Sequence, residues 1–368
     1  MSIANDIIRR QMPNFDHYLR QGESLDDIDE YGFTPLIECV ITRQPEIAEK
    51  LLARGVEVDK PDVTGRTALF WAVDNNDIPF IKLLLRHNAN ANAYTSAGMP
   101  ILVYPVLREQ TDVKRLLYQH GARVDFAQDF IQGKLLGHRF ELNGSVDIVT
   151  AQDRLIELNY EGFILEFTVA TVIDALRRFT SSYSTRKIRH QFTVLHAIMD
   201  AFEVAAKLLS LQHQPRLIDQ HLQDIEQLIA HPLVILPAAS RGHAMGFLRY
   251  HQFWVKVDRG ENSLKEGSVN IYRMSRPQAI TVGFIKEFLY NRQPRSFFHE
   301  RINQTLGLIP VGQLPISSQI TGNCSWANIQ AIIPAAHALL QLYEEGNFEK
   351  EEVMALYHYW QEWDKDRS

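Results

Sequence analysis

The chain has 368 residues, 45% of them hydrophobic, enough apolar material for two or three domains with cores of their own. With 38 basic and 44 acidic residues its net charge is −6, which argues against nucleic acid or an anionic membrane as the main partner. Two cysteines, Cys39 and Cys324, lie far apart, so a reducing compartment is expected rather than a disulfide framework. The N-terminal stretch MSIANDIIRRQMPNF interrupts its apolar residues with charges, and no apolar run reaches the roughly 18 residues of a membrane span, so neither a Sec-type signal nor an anchor is expected.

From the N-terminus, Gly32, Gly65 and Gly98 are spaced by 33, as are Leu36, Leu69 and Leu102, and Leu51, Leu84 and Leu117. The segments YGFTPLIECV, TGRTALFWAV and AGMPILVYPV, with the endings LLARGVEVD, LLLRHNANAN and LLYQHGARVD, resemble the ankyrin repeat over about residues 13–130. That places repeats at 32–64, 65–97 and 98–130, preceded by an incomplete capping copy carried by Leu19, Gly22 and Asp26. Each helix pair is unable to bury its apolar face alone, so neighbours stack and glycine supplies the freedom of the tight turns. Cys39 reads as a packed thiol without chemistry. In the ankyrin family the position two after the conserved Leu tends to face the concave groove; here it holds Glu38, Trp71 and Tyr104. Two adjacent aromatics there suggest an anchor, either for a partner protein or for the following domain.

Residues 131–231 read as a docking segment and a helical arm. The stretch DFIQGKLLGHRFELNGSVDIV resembles one recurring after the repeats of ankyrin-containing effectors that Legionella-type bacteria inject into host cells, and His138 within it reads as a structural histidine. Ile188, Phe192, Leu195, Met199, Phe202 and Ala206 fall at helical spacing, as do Leu217, Leu222, Ile225 and Leu228 or Ile229, with the break at Pro215. The short basic run of Arg186, Lys187 and Arg189 is read as a solvated helix start.

From Pro232 the period changes to two, in LVIL, GHAMGFLRY, QFWVKVD and SVNIYRM, which predicts an antiparallel sheet. A hairpin turning at Tyr250-His251, although Tyr-His is a poor two-residue turn, puts Ala244, Gly246, Leu248, Phe253, Val255 and Val257 on one face. His243 and Asp258 then oppose each other on the other face, with Cβ atoms about 5 Å apart, so the carboxylate can orient the imidazole as a general base. Glu261 is the alternative acid.

The nucleophile candidate is Cys324, which opens a helical pattern through Ile329, Ile332 or Ile333, Ala336 and Leu339 or Leu340, with Gly322-Asn323 as the turn and a kink expected at Pro334. The positive end of a helix dipole and a nearby imidazolium both favour thiolate. The Cys324 backbone N–H and the Gln319 side-chain amide supply candidate oxyanion donors. The string from Gln319 to Trp326 resembles the papain-type elbow. The order His243, Asp258, Cys324 is similar to that of ubiquitin-like-protein proteases and adenovirus-type proteases, over about residues 232–345. The Gln-to-Cys gap is one residue short of that pattern, and Ser325 stands where glycine commonly follows the cysteine.

The fold expected is thus an α-solenoid of ankyrin repeats (1–130), followed by an α+β papain-like, cysteine-protease-like domain (232–368) with an antiparallel sheet. Taken singly, each of the three residues has a bland structural explanation; jointly they read as a catalytic set. Neither an HExxH pair nor a phosphate loop occurs, so no metal and no cofactor are expected. The acidic end EEGNFEKEEVMALYHYWQEWDKDRS resembles the glutamate-rich tails of type IV secretion substrates, and reads equally as a solvated terminal helix. The resemblances imply an effector delivered by a type IV system into the host cytoplasm, without a Sec signal. It would bind a host protein through the ankyrin groove and act by Cys-His-Asp acyl transfer. The alternative is a non-catalytic adaptor with an inactive protease-like domain.

Overall fold

The computed structural model describes residues 3–140, 142, 144–150, 153–160, 165–186, 194–212, 218–240, 243–260, 263–290, 293–319 and 323–366. The chain divides into two compact units, Met1–Leu135 with Gly144–Tyr160, and Leu136–Asn143 with Glu161–Ser368.

The first unit is built of helix pairs: Ile3–Ile8 (α1) with Phe15–Arg20 (α2), Pro35–Thr42 (α3) with Pro45–Leu52 (α4), Ala68–Asp74 (α5) with Ile78–Arg86 (α6), and Val103–Leu107 (α7) with Thr111–Gln119 (α8). Thr34 and Thr67 cap α3 and α5, their hydroxyls accepting from the N–H of Ile37 and Phe70. In the next repeat Pro100 takes that threonine's place; α7 starts without a side-chain cap and is only 5 residues long. Gly65, at φ +83°, has no room for a side chain, because an added Cβ would lie 2.3 Å from the Ser96 backbone nitrogen. Val124–Arg139 (α9) follows, and Ser145–Val149 (β1) pairs antiparallel with Leu155–Asn159 (β2).

The expected groove residues are not an exposed aromatic pair. Tyr104 is fully buried, edge-on to Phe70 and beneath the Arg108 guanidinium, and Glu38 is fully buried as well. Trp71 is half-buried; its indole N–H donates to Asp62 at 2.9 Å, and its ring meets Phe33 edge-on. Aromatic residues of the preceding repeat thus pack on Trp71 and Tyr104. Cys39 is buried too, and burial pushes its thiol far above the ordinary range.

The second unit is a five-stranded antiparallel meander in chain order, Leu233–Ser240 (β3), His243–Tyr250 (β4), Phe253–Val257 (β5), Val269–Met274 (β6) and Leu308–Leu314 (β7). The last strand was hidden in the sequence by Pro310 and Gly312, residues tolerated here because β7 is an edge. The helices are Leu165–Ser181 (α10), Leu195–Gln212 (α11), Leu222–Ile229 (α12), Ser263–Glu266 (α13), Val282–Tyr290 (α14), Ile302–Leu306 (α15), Cys324–Glu345 (α16) and Lys350–Asp366 (α17). One sheet face carries Ala244, Leu248, Phe253, Val255 and Val257 against α10, α11, α16 and α17. The other packs Met245, Phe247 and Trp254 against α12, α14 and an aromatic cluster around Phe288 and Phe298.

The helices expected as an arm therefore join the core of this unit. Of their predicted residues, Ile188, Phe192, Pro215 and Leu217 lie outside the described residues, as do Lys187 and Arg189 of the basic run. Helix α16 runs on through Pro334 without an interruption. The C-terminal helix is not a solvated tail: Val353, Trp360 and Trp363 are buried, and the Trp363 indole N–H donates to Ser184 at 3.0 Å.

Candidate functional site

The face assignment of the β4–β5 hairpin agrees with the alternation in the sequence, but the register differs by two residues. Tyr250 pairs with Phe253, so the turn is His251-Gln252, and Gly246 pairs with Val257. His243 therefore does not oppose Asp258 directly. The two meet on a diagonal at the open end of the hairpin, His243 Nε2 lying 2.8 Å from Asp258 Oδ1. Diagonal neighbours remain within reach of a long side chain. What makes room for the contact is Gly260, where a Cβ would lie 2.6 Å from the His243 ring and 3.1 Å from Asp258 Oδ1. The Gly260 N–H donates to that same carboxylate oxygen at 3.0 Å.

Cys324 sits at the first position of α16, 22 residues long, so the positive end of the helix dipole falls on its sulfur. The Ala244 backbone N–H donates to Sγ at 3.4 Å, and the His243 ring lies near enough for each group to bias the other's ionisation. With Nε2 given to Asp258, Nδ1 is the nitrogen left to face Cys324. Burial alone would raise the Cys324 pKa, but the bonds from His243 and from the Ala244 N–H outweigh it, and the thiol is held below its ordinary value. His243 moves the other way, up to about 9, through its bonds to Asp258 and then to Cys324. Burial opposes ionisation of Asp258 too, yet His243 and the Gly260 N–H keep that carboxyl below the usual range. All three shifts run in the direction that favours a thiolate, an imidazolium and a carboxylate.

Asn328, one helical turn beyond Cys324 and fully buried, ties the chain together. Its Oδ1 accepts from the Arg259 backbone N–H at 2.7 Å, and its Nδ2 donates to the Ala244 carbonyl at 2.6 Å. One amide thus fixes the residues that follow His243 and Asp258 to the helix that carries Cys324. Sequence reasoning missed both Asn328 and Gly260; an amide four residues after the cysteine, on a face otherwise apolar, was the available signal.

Gln319 is anchored by its backbone N–H to the Arg259 carbonyl at 2.8 Å, and its side-chain Oε1 is buried without a hydrogen-bond partner among the described residues. The same is true of Asn323 Oδ1, which borders a cavity of about 590 Å³ walled by Trp326 and His138. His138 is buried, its ring 5.9 Å from that of Trp326. The alternative acid Glu261 and the turn residue Gly322 lie outside the described residues. Among the described residues, no cluster of His, Cys, Asp or Glu could hold a metal ion, and no helix is long and apolar enough to cross a membrane.

Ankyrin repeats, in three copies, match residues 44–128. Inversin of Gallus gallus is 34% identical over 101 residues, which are 27% of this chain and 9% of inversin. The B-cell lymphoma 3 protein homolog of Mus musculus is 37% identical over 92 residues, 25% of this chain and 20% of that protein. These stretches are too short to extend far beyond the repeats, and the chain spans only a small part of either relative. The solved structure of the Legionella effector AnkH is similar to the whole chain: 63% identity, TM-score 0.90, and coverage of 100% of this chain and 79% of that one.

Proposed function

This chain belongs to the family of the Legionella effector AnkH, and on that premise we propose that it is an effector whose second unit is a cysteine-protease-like domain working by acyl transfer at Cys324. Ankyrin repeats mediate protein–protein interaction, and in this reading the first unit binds a host protein. The family supports delivery into host cells, and the acidic C-terminal helix fits a type IV secretion substrate.

The chemistry follows from the contacts around Cys324. Its thiolate attacks an acyl carbon of a peptide, isopeptide or other acyl donor, forming the C–S bond and pushing charge onto the carbonyl oxygen. His243, protonated at rest, gives its Nδ1 proton to the leaving amine; as a neutral base it then takes one from the incoming water or acceptor, which breaks the thioester. Asp258 holds the ring through Nε2 and stabilises the imidazolium. The backbone N–H groups at the start of α16 and the Gln319 side-chain N–H are the oxyanion donors. The reaction needs no cofactor.

The observation that carries this reading is the convergence of Cys324, held by the Ala244 N–H at 3.4 Å, with the adjacent His243, itself bonded to Asp258 at 2.8 Å. Its test is labelling of the wild type, Cys324→Ala and His243→Ala with an activity-based electrophile between about pH 5 and 9. Labelling at Cys324 that persists at low pH and collapses without His243 is the expected result. Labelling that rises like a free thiol, indifferent to His243, would leave the chain an adaptor acting through its repeats.

A further inference from the structure

Asp258 has two carboxylate oxygens, and the contacts described so far use one. The other, Oδ2, faces His299 Nε2 at 3.6 Å, longer than a hydrogen bond but close enough for an N–H dipole to act on the charge. His299 lies at the centre of a π-helical turn, Phe297–Arg301, and such widened turns recur at functional sites. Phe297 and Phe298 are buried in the aromatic cluster behind the sheet, which pins the turn.

The other ring nitrogen defines the proton's position. His299 Nδ1 lies 2.7 Å from Nζ of Lys256, a lysine buried on β5 and paired with Glu266 at 3.0 Å. An ammonium has only N–H groups to offer, so Nδ1 must accept. The single proton of the neutral ring is then on Nε2, directed at Asp258. Burial and the Lys256 charge both push the His299 pKa down, which keeps the ring neutral. Among the described residues, the titratable groups acting on His299 are Lys256, Asp258, Glu266 and His243.

We propose that His299, its tautomer set by Lys256, is a positioning residue for the Cys324 site: its Nε2–H holds the second oxygen of Asp258 so that the first stays aligned with His243. This rests on the reading of Cys324, His243 and Asp258 as an acyl-transfer site. A merely structural Lys256–Glu266–His299 cluster would affect folding without touching the ionisation of Cys324.

The experiment is iodoacetamide alkylation of Cys324 in the full chain as a function of pH, read by peptide mass. In His299→Ala the low-pH limb of the profile is expected to move up by about half to one pH unit, a threefold to tenfold slower reaction at a fixed pH on that limb. His299→Gln, whose amide N–H can address the same oxygen, restores the wild-type limb. Lys256→Met frees Nδ1 to take a proton and adds an inflection near the ordinary histidine pKa of about 6.5, absent when His299→Gln is added. Superposable wild-type and His299→Ala profiles overturn the inference and leave the Cys324 reading standing. A wild type without a low-pH limb overturns the Cys324 reading itself. Should His299→Ala not fold, nitrogen NMR of the wild-type His299 ring decides: a charged ring or a proton on Nδ1 at neutral pH refutes the proposal.

Discussion

Replacing Gly260 by alanine puts one methyl group into the narrowest part of the site. The new Cβ would lie 2.6 Å from His243 Cε1, 3.0 Å from Nε2 and 3.1 Å from Asp258 Oδ1. Carbon atoms in contact sit about 3.5 to 4.0 Å apart, so the imidazole must retreat by about 1 Å. Gly260 is not among the residues with positive φ, so the substitution brings no backbone strain, and its N–H can still reach Asp258. A retreat of that size would break the 2.8 Å bond between His243 and Asp258. A misplacement of about 1 Å can cost on the order of a hundredfold in rate. The expected result is labelling of Cys324 slowed about tenfold to a hundredfold near pH 6, with a stability cost of about 1 to 3 kcal/mol for the overpacking. The assay is the pH profile of alkylation beside a thermal melt of the same protein. A folded Gly260→Ala variant that labels like the wild type across the profile would refute the geometry claimed for the triad.

Two further substitutions probe the same constellation. Asp258→Asn removes the main cause of the raised His243 pKa, about 9 against an ordinary 6.5. A group whose folded-state pKa is raised contributes stability that is complete below its unfolded pKa and lost as pH rises through the folded value. The stability gap between wild type and Asp258→Asn is therefore expected to be widest, up to about 3 kcal/mol, just below pH 6.5 and to narrow toward pH 9. Denaturant midpoints across that range measure it, and a gap that widens with pH contradicts the assignment. Asn328→Leu leaves the buried Arg259 N–H and Ala244 carbonyl unpaired, at about 2 to 4 kcal/mol together. It should also raise the pH at which Cys324 reacts, and an unchanged alkylation profile would deny Asn328 its tying role.

The ankyrin unit was readable in advance because each repeat contacts only its neighbours, so the period of 33 in Gly32, Gly65 and Gly98 carries the structural information locally. The faces of β4 and β5 were readable for a similar reason, since side chains alternate with a period of two whatever partner a strand finds. Alternation is indifferent to a shift of two residues, however, and the register was decided at the turn. There His251 adopts φ +49° and stacks on Tyr343 of α16, ring centroids 4.3 Å apart, a contact from a distant helix. Burial of Tyr104 likewise depends on Phe70 of the adjoining repeat packing on its ring, which a position within one repeat does not specify. The chain's residue types and order marked His243, Asp258 and Cys324 as candidates. Their meeting depends on Gly260 and Asn328, whose roles exist only once sheet and helix are packed, because each acts through space on His243 or its neighbour, far away in sequence.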